Sequence, residues 1–243
     1  MAGKGLSDAV KKPPFETEEL RKRLTAYLDT PVPHPDGGLR KVGDYKWGVY
    51  AFFDYDGEPI YVGQTNEKLR VRIRRHLTNQ RTDAVAMSVL DPFEVYEIEV
   101  WPLPELQAVD GKNPEARQRL NALEREITAR AVAGSRFKAI LNEKDPPAGQ
   151  TMSDPPVSHR GRVVSDAVHA LRSHPDIRIA RRALIISRLA QVISEREVKG
   201  GLRRVLQVQA KRLQWLAEKR FQALGGESSV ETETETEAYS LEG

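Results

Sequence analysis

Apolar positions recur along this chain at two intervals, and the switches between them mark out its elements. In FETEELRKRLTAYL, Leu20, Leu24 and Leu28 fall at i, i+4 and i+8, with Glu18 and Glu19 near the start and Pro31 just beyond the end. That spacing predicts a short amphipathic helix. After the loop-forming PVPHPDGG, the period drops to that of extended chain. WGVYAFFDYDGEPIYVG holds two runs of aromatic and β-branched residues around Asp56-Gly57, a dipeptide favoured at tight turns, and predicts an antiparallel hairpin. EKLRVRIRRHL returns to helical spacing, with Leu69, Ile73 and Leu77 on one stripe. In PFEVYEIEVW, Tyr96, Ile98 and Val100 alternate with Glu97 and Glu99, as in a half-buried third strand paired with the hairpin.

Another helix follows the sheet, from Pro114, which suits a first turn, to Gly134, which suits a stop. NEKDPPAGQTMSDPPVSHRG has four prolines and little apolar material, and reads as a linker or a surface-hugging extension. Three helical patterns come next, separated by His174-Pro175 and Gly200-Gly201. In the last of them Leu202, Leu206, Leu213, Leu216 and Leu224 form a stripe that Val205 widens. So long an apolar face needs cover, either from Leu184, Ile185, Leu189 and Val192 of the preceding helix or from a second subunit, giving a homo-oligomer. The expected fold class is α+β: a small three-stranded antiparallel sheet flanked by helices, then an α-helical C-terminal region. The expected division is an N-terminal helix and loop (1–45), the sheet domain (46–145), a Pro-rich linker (146–160), a basic helical region (161–225) and an acidic, disordered tail (226–243).

Composition changes this picture in three ways. No run of about 18 apolar residues exists and the N-terminus has no apolar signal core, so the expectation is a cytoplasmic, non-membrane protein, with nucleoid association compatible. There is no cysteine, which excludes disulfides, thiolate nucleophiles and thiolate zinc sites; any metal must sit on oxygen or imidazole. The net charge of +3 conceals a segregation. Residues 159–226 carry fifteen Lys/Arg against five acids, whereas 227–243 carry six glutamates and no base. A basic helical region points to a polyanion partner, with a solvated charged surface as the plainer alternative.

The residues with candidate chemistry lie in the sheet domain. Gly48-Val49-Tyr50 and Tyr61-Val62-Gly63 are separated by ten residues of hairpin and followed by Leu69-x-x-Arg72-x-x-x-His76. After the third strand comes Leu123-Glu124-x-x-Ile127. Over 46–145 this arrangement resembles the GIY-YIG nuclease superfamily, in which the two tripeptides lie on neighbouring strands. On a helix, Arg72 and His76 are i, i+4 neighbours on one flank of the apolar stripe and can face the same phosphate. Arg70 and Arg74 leave by the other flank and Arg75 by the back, and read as solvated or DNA-backbone contacts. Glu124 lies about 55° from the centre of its helix's apolar stripe and Glu126 about 105° away, so Glu124 is the one able to reach a sheet-side cleft.

The resemblance implies a divalent-metal-dependent DNA endonuclease, with Glu124 holding Mg²⁺ (or Mn²⁺), Arg72 stabilising phosphoryl charge, and Tyr50 and Tyr61 lining the cleft. Tyr50 is the preferred base or water-positioning group, its phenol expected to be lowered by cationic neighbours, and Tyr61 a phosphate or water ligand. Both tyrosines also suit the core of a small sheet. His76 is open between base, phosphate contact and surface residue. Gly63 is read as a conformational residue at the turn from strand to helix. Asn142 resembles the family's bracing asparagine, at a longer spacing from the glutamate than usual. Gln64 and Thr65 stand where many members have a lysine. The other class open to the sequence is a non-catalytic nucleic-acid-binding or assembly protein that keeps the fold.

Overall fold

The computed structural model describes residues 14–78, 89–198 and 200–226; the acidic tail expected to be disordered lies outside them apart from Gly226. The predicted hairpin forms as β3 (Gly48–Phe53) and β4 (Pro59–Thr65), and the predicted third strand as β5 (Glu97–Pro102). In front of them, the Pro/Gly-rich stretch makes a short ribbon of β1 (Pro31–Pro33) and β2 (Leu39–Lys41). The main sheet has four strands rather than three. A further strand, β6 (His159–Arg162), pairs antiparallel with β5, giving the order β4-β3-β5-β6. His-Arg-Gly-Arg has no apolar alternation, so nothing in its pattern announces a strand. It is held by β5 and by Tyr27, whose hydroxyl donates to the His159 carbonyl at 2.9 Å. A Cβ on Gly161 would stand 2.6 Å from the Tyr27 ring, so that close approach requires glycine.

The two faces of β3 collect different helices. Tyr50 and Phe52 join a core with α1 (Phe15–Leu28), α2 (Leu69–Leu77) and the C-terminal helices, through residues such as Leu24, Ile73, Leu189 and Val205. Val49 and Ala51 face α3 (Pro114–Gly134) through Leu120, Leu123 and Ile127. Asn113 caps α3, its side chain accepting from the Ala116 amide, with Pro114 in the first turn. The alternation of a strand thus sends successive residues to two cores.

The C-terminal region is α4 (Asp166–Arg172), α5 (Pro175–Glu195) and α6 (Gly200–Ala223), with α5 and α6 packed together as the expected helical hairpin. Its inward face differs from the leucine stripe. α6 buries Leu202, Val205, Val208, Gln209, Arg212 and Leu216, whereas Leu224 is exposed. α5 buries Arg178, Arg182, Ile185, Leu189 and Val192, and leaves Leu184 exposed. The arginines go inward because carboxylates await them. Arg182 and Arg212 reach Asp54 Oδ2 at 2.9 and 2.6 Å, Arg178 reaches Asp56 at 2.6 Å, and Arg182 also binds Glu94 at 2.9 Å. Asp54 is also the organiser of the hairpin turn, its Oδ1 accepting from the Asp56 and Glu58 amides at 2.9 and 3.0 Å. Gly57 takes the left-handed conformation (φ 73°) that the turn requires.

The stretch read as a linker crosses the outside of α3. Arg125 donates to the carbonyls of Pro147 and Gln150, fixing the extension to that helix. Among the described residues no helix is long and apolar enough to cross a membrane.

Candidate active site

Strand register places the two tyrosines. Tyr50 pairs with Gly63 across the hairpin and Phe52 with Tyr61, so both tyrosine rings stand on the α2 face of the sheet. Their ring centroids are 6.2 Å apart, and the His76 ring completes a triangle at 5.8 Å from Tyr50 and 5.1 Å from Tyr61. His76 reaches this position because Leu69, Ile73 and Leu77 bury the adjacent stripe of α2.

Gly63 differs from its expected role. It sits inside β4, not at the turn into the helix, and a Cβ there would lie 2.6 Å from the Tyr50 hydroxyl oxygen and 2.9 Å from the Tyr61 ring. Its function in the fold is to make room for two phenols.

Tyr50 is fully buried, and its hydroxyl has no hydrogen-bond partner of good geometry. Arg72 and Tyr61 are its electrostatic neighbours. The guanidinium expected to lower the phenol is there, but burial outweighs it and holds Tyr50 far above the ordinary tyrosine range. The hydroxyl therefore stays protonated at neutral pH and is a donor, not a resting base. Arg72 is itself half-buried, with its Nε buried and unpartnered. Burial opposes its charge, and the nearby Tyr50, Tyr61 and Glu67 favour it strongly enough to raise its pKa.

Arg72 also links the two faces. It acts electrostatically on Glu124 of α3, whose carboxyl burial pushes up to about 7 against the lowering effects of Arg72 and Arg125. Glu124 is thus a carboxylate short of positive charge. Glu126 pairs with Arg130 one turn on, at 2.7 Å, which accounts for it as a surface residue. Asn142 lies behind the β4 edge, its Nδ2 donating to the Val62 carbonyl at 2.7 Å and its Oδ1 accepting from the Val62 amide at 3.1 Å. With the Leu141 amide donating to Ile60 O at 2.8 Å, it continues the sheet's hydrogen bonding along that edge and fixes the strand carrying Tyr61.

The other arginines of α2 are committed to the fold. Arg70 binds Asp44 and Asp29 at 2.9 and 3.0 Å, Arg74 donates to Thr25 Oγ1 at 2.9 Å, and Arg75 binds Glu67 at 2.8 Å. Arg70 and Arg74 are therefore not the solvated contacts that helical spacing suggested, whereas the Arg75 side chain, 42 % exposed, stays at the surface. Pairing leaves Arg72 as the arginine of α2 directed at the tyrosines.

A cleft of about 360 Å³ opens beside Arg72, walled by the end of β4, the turn after it and α3. Gln64 crosses it, Nε2 donating to Asn121 Oδ1 at 2.9 Å. The sequence marked Gln64 only as a departure from lysine and passed over Asn121, whose signal is its position one turn before Glu124.

An antiparallel hairpin that brings two tyrosines to an arginine and a histidine of the next helix, with a carboxyl from a later one, is a nuclease-class arrangement on an α+β frame. Residues 46–108 match the family model of the GIY-YIG catalytic domain, and this part of the chain belongs to the GIY-YIG nuclease superfamily. Glu124, Asn142 and the C-terminal helices lie beyond the matched residues. Comparisons with curated proteins and with solved structures gave no match.

Proposed function

We propose that this chain is a divalent-metal-dependent DNA endonuclease that hydrolyses phosphodiester bonds at the cluster of Tyr50, Tyr61, Arg72, His76 and Glu124. The observation that carries this reading is the convergence of Arg72 on both the tyrosine pair and Glu124, around one edge of the sheet. Phosphodiester hydrolysis needs a positioned water, a proton acceptor and stabilisation of charge on the phosphoryl oxygens. Arg72, half-buried beside the tyrosines, supplies the charge. The Tyr50 hydroxyl donates to a phosphoryl oxygen or to the water. Tyr61, half-buried, orients the water, and His76 beside it takes the proton, imidazole being the side chain whose ordinary pKa suits that task.

The metal fits the donor set. Among the described residues no three His, Asp or Glu side chains form a ready-made cage. One partly buried carboxylate suits Mg²⁺ (or Mn²⁺), which keeps several waters and binds through one or two carboxylates together with substrate phosphates. Glu124 would hold the ion, and a cation there would keep ionised a carboxyl that burial otherwise pushes up to about 7. When bound, the ion would polarise the phosphate and stabilise charge on the leaving oxygen.

DNA binding by the C-terminal region rests on fewer residues than its composition suggests. Ten of its fifteen Lys/Arg pair with carboxylates inside the molecule: Arg160, Arg162 and Arg172; Arg178, Arg181 and Arg182; Arg204, Arg212, Lys219 and Arg220. Arg188, Arg196, Arg203 and Lys211 are exposed and are the candidates for phosphate contacts. The test of the whole reading is nicking of plasmid, duplex, branched and single-stranded DNA with Mg²⁺, Mn²⁺ or EDTA. Metal-dependent cleavage that falls by about 10³-fold or more in Glu124→Gln is expected, the ion being worth several kcal/mol to such chemistry. No cleavage of any substrate would leave the binding or assembly reading in its place.

A further inference from the structure

The cleft beside Arg72 is bordered on one side by Arg117 and Asn121, which begin a polar stripe of α3. Arg117, Asn121, Glu124 and Thr128 are spaced i, i+4, i+7 and i+11 on α3, and so lie within about 60° of one another around the helix. This polar stripe runs alongside the Leu120, Leu123 and Ile127 face that packs on the sheet. Glu124 sits in its middle, and Arg117 lies about 10 Å nearer the helix start, at ~1.5 Å per residue. The cleft occupies the interval between Arg117 and Arg72, with Leu120 as its apolar floor.

Its side chains are held ready. Gln64 Nε2 is bound to Asn121 Oδ1, while Gln64 Oε1 is buried with no partner. The pair thus offers one acceptor, Gln64 Oε1, and the donors of Asn121 Nδ2, the complement of a base edge that carries a donor beside an acceptor. Arg117 is anchored through Nε to the Gly111 carbonyl at 2.9 Å, which leaves its two terminal nitrogens for an anion. Asn66 binds the same carbonyl at 3.0 Å and fixes that corner. Glu67 is the one acid among the residues lining the cleft, and Arg75 neutralises it at 2.8 Å. The cleft therefore presents two guanidinium groups, an amide pair and an apolar floor to an anionic, base-bearing ligand.

We propose that this cleft seats the nucleotide adjoining the scissile phosphate, Arg117 holding a backbone phosphate and the Gln64–Asn121 pair reading the base. This rests on the endonuclease reading for the position of the cut, and its test separates the two. The full-length protein and its Arg117→Ala, Gln64→Leu and Asn121→Leu variants are compared in two assays. One is cleavage of a duplex library randomised around the cut; the other is salt-dependent binding of a labelled duplex in EDTA.

The expected result is that Arg117→Ala weakens binding at every sequence and lowers the slope of log K against log salt by about 0.9, one phosphate contact. Gln64→Leu and Asn121→Leu change the base preference at a single position beside the cut, and the same position in both. Active variants with the wild-type preference and salt slope would overturn the cleft while leaving the nuclease reading intact. If the wild-type protein cuts nothing, the nuclease reading fails, and the binding arm decides alone. A weaker, shallower salt dependence in Arg117→Ala then supports a nucleotide seat, and unchanged binding overturns it.

Discussion

Two places in this molecule bring buried arginines up to carboxylates, and they are finished differently. At the hairpin turn, Asp54, Asp56 and Glu94 each meet at least one guanidinium of Arg178, Arg182 or Arg212, and all three arginines are nearly fully buried. At the sheet edge, Arg72 faces Tyr50, Tyr61 and Glu124, and polar atoms remain unpartnered: Tyr50 Oη, Arg72 Nε and, in the adjoining cleft, Gln64 Oε1. Leaving a buried polar group unsatisfied costs about 1–3 kcal/mol each. The first constellation is closed in charge, each carboxylate on a guanidinium, although Arg178 Nε and Arg212 Nε also lack a partner. On the proposed reading, a phosphate and a metal ion would complete the second.

The largest effect that separates them is on stability. Asp54 accepts from two arginines through one oxygen and from two turn amides through the other, so Asp54→Ala uncovers buried cations and loosens the hairpin at once. Removing one partner of a buried ion pair costs about 3–5 kcal/mol. Urea denaturation should show a loss of that order, and a loss below about 1 kcal/mol would mean that the cluster is not closed. Arg72→Ala should do the reverse, lowering the cleavage rate by about 10²-fold, as loss of one transition-state donor does, with little change in urea midpoint or DNA affinity. Equal losses of rate and affinity would make Arg72 a ground-state contact instead.

The open constellation was the more legible of the two. Tyr50, Tyr61, Arg72, His76 and Glu124 stand at intervals that strand and helix geometry convert into neighbours, and each is of a type with chemistry to offer. The closed one was hidden by the convention that arginine is polar. Arg178, Arg182, Ile185, Leu189 and Val192 form a regular buried helical stripe, but a search for apolar residues sees only its second half and fills the gap with the exposed Leu184. Likewise α6 turns Val205, Val208 and Arg212 inward and leaves the end of the leucine stripe in water. The acid-rich turn Asp54, Asp56, Glu58 was the available signal, since three carboxylates on one hairpin loop need cations. β6 had no such signal. Its four residues are fixed by β5 and Tyr27, contacts made far along the chain. Because that strand pairs with β5 and α5–α6 share the core of Tyr50 and Phe52, cutting the chain near residue 150 would strip the sheet of its partners as well as its basic charge.

A smaller change should turn the open site toward the closed kind. Gly63→Ala places a methyl group 2.6 Å from the Tyr50 hydroxyl oxygen and forces the phenol off its position. Overpacking of this sort costs about 1–3 kcal/mol, and activity should fall further than stability predicts because Tyr50 no longer faces Arg72. Tyr50→Phe in the same background removes the nearest clashing atom and should recover part of the stability without the activity. Additive losses in the double variant would show that the glycine does not serve the phenol.

The smallest effect concerns Glu124 without metal, and its sign is fixed by burial. With its carboxyl pushed up to about 7, above the ordinary 4.5, the folded protein holds a proton there that the unfolded chain releases. Stability from this group is fully present below about pH 4.5 and is lost as pH rises through about 7, because the native state binds more protons across that window. The site is partly open to solvent, so the loss is on the order of 1–2 kcal/mol after screening. Glu124→Gln has no proton to lose. In EDTA its urea midpoint should match that of the wild type near pH 4.5 and exceed it at pH 8. Adding Mg²⁺ at pH 8 should close that gap from the wild-type side alone, since a ligand that binds only the native state stabilises it in proportion to the logarithm of its concentration over Kd. A gap that is the same at both pH values would mean that Glu124 is solvated like Glu126. A gap that Mg²⁺ leaves open would place the ion elsewhere. A Tyr61, Arg72 and His76 site would then have to carry its charge on arginine alone.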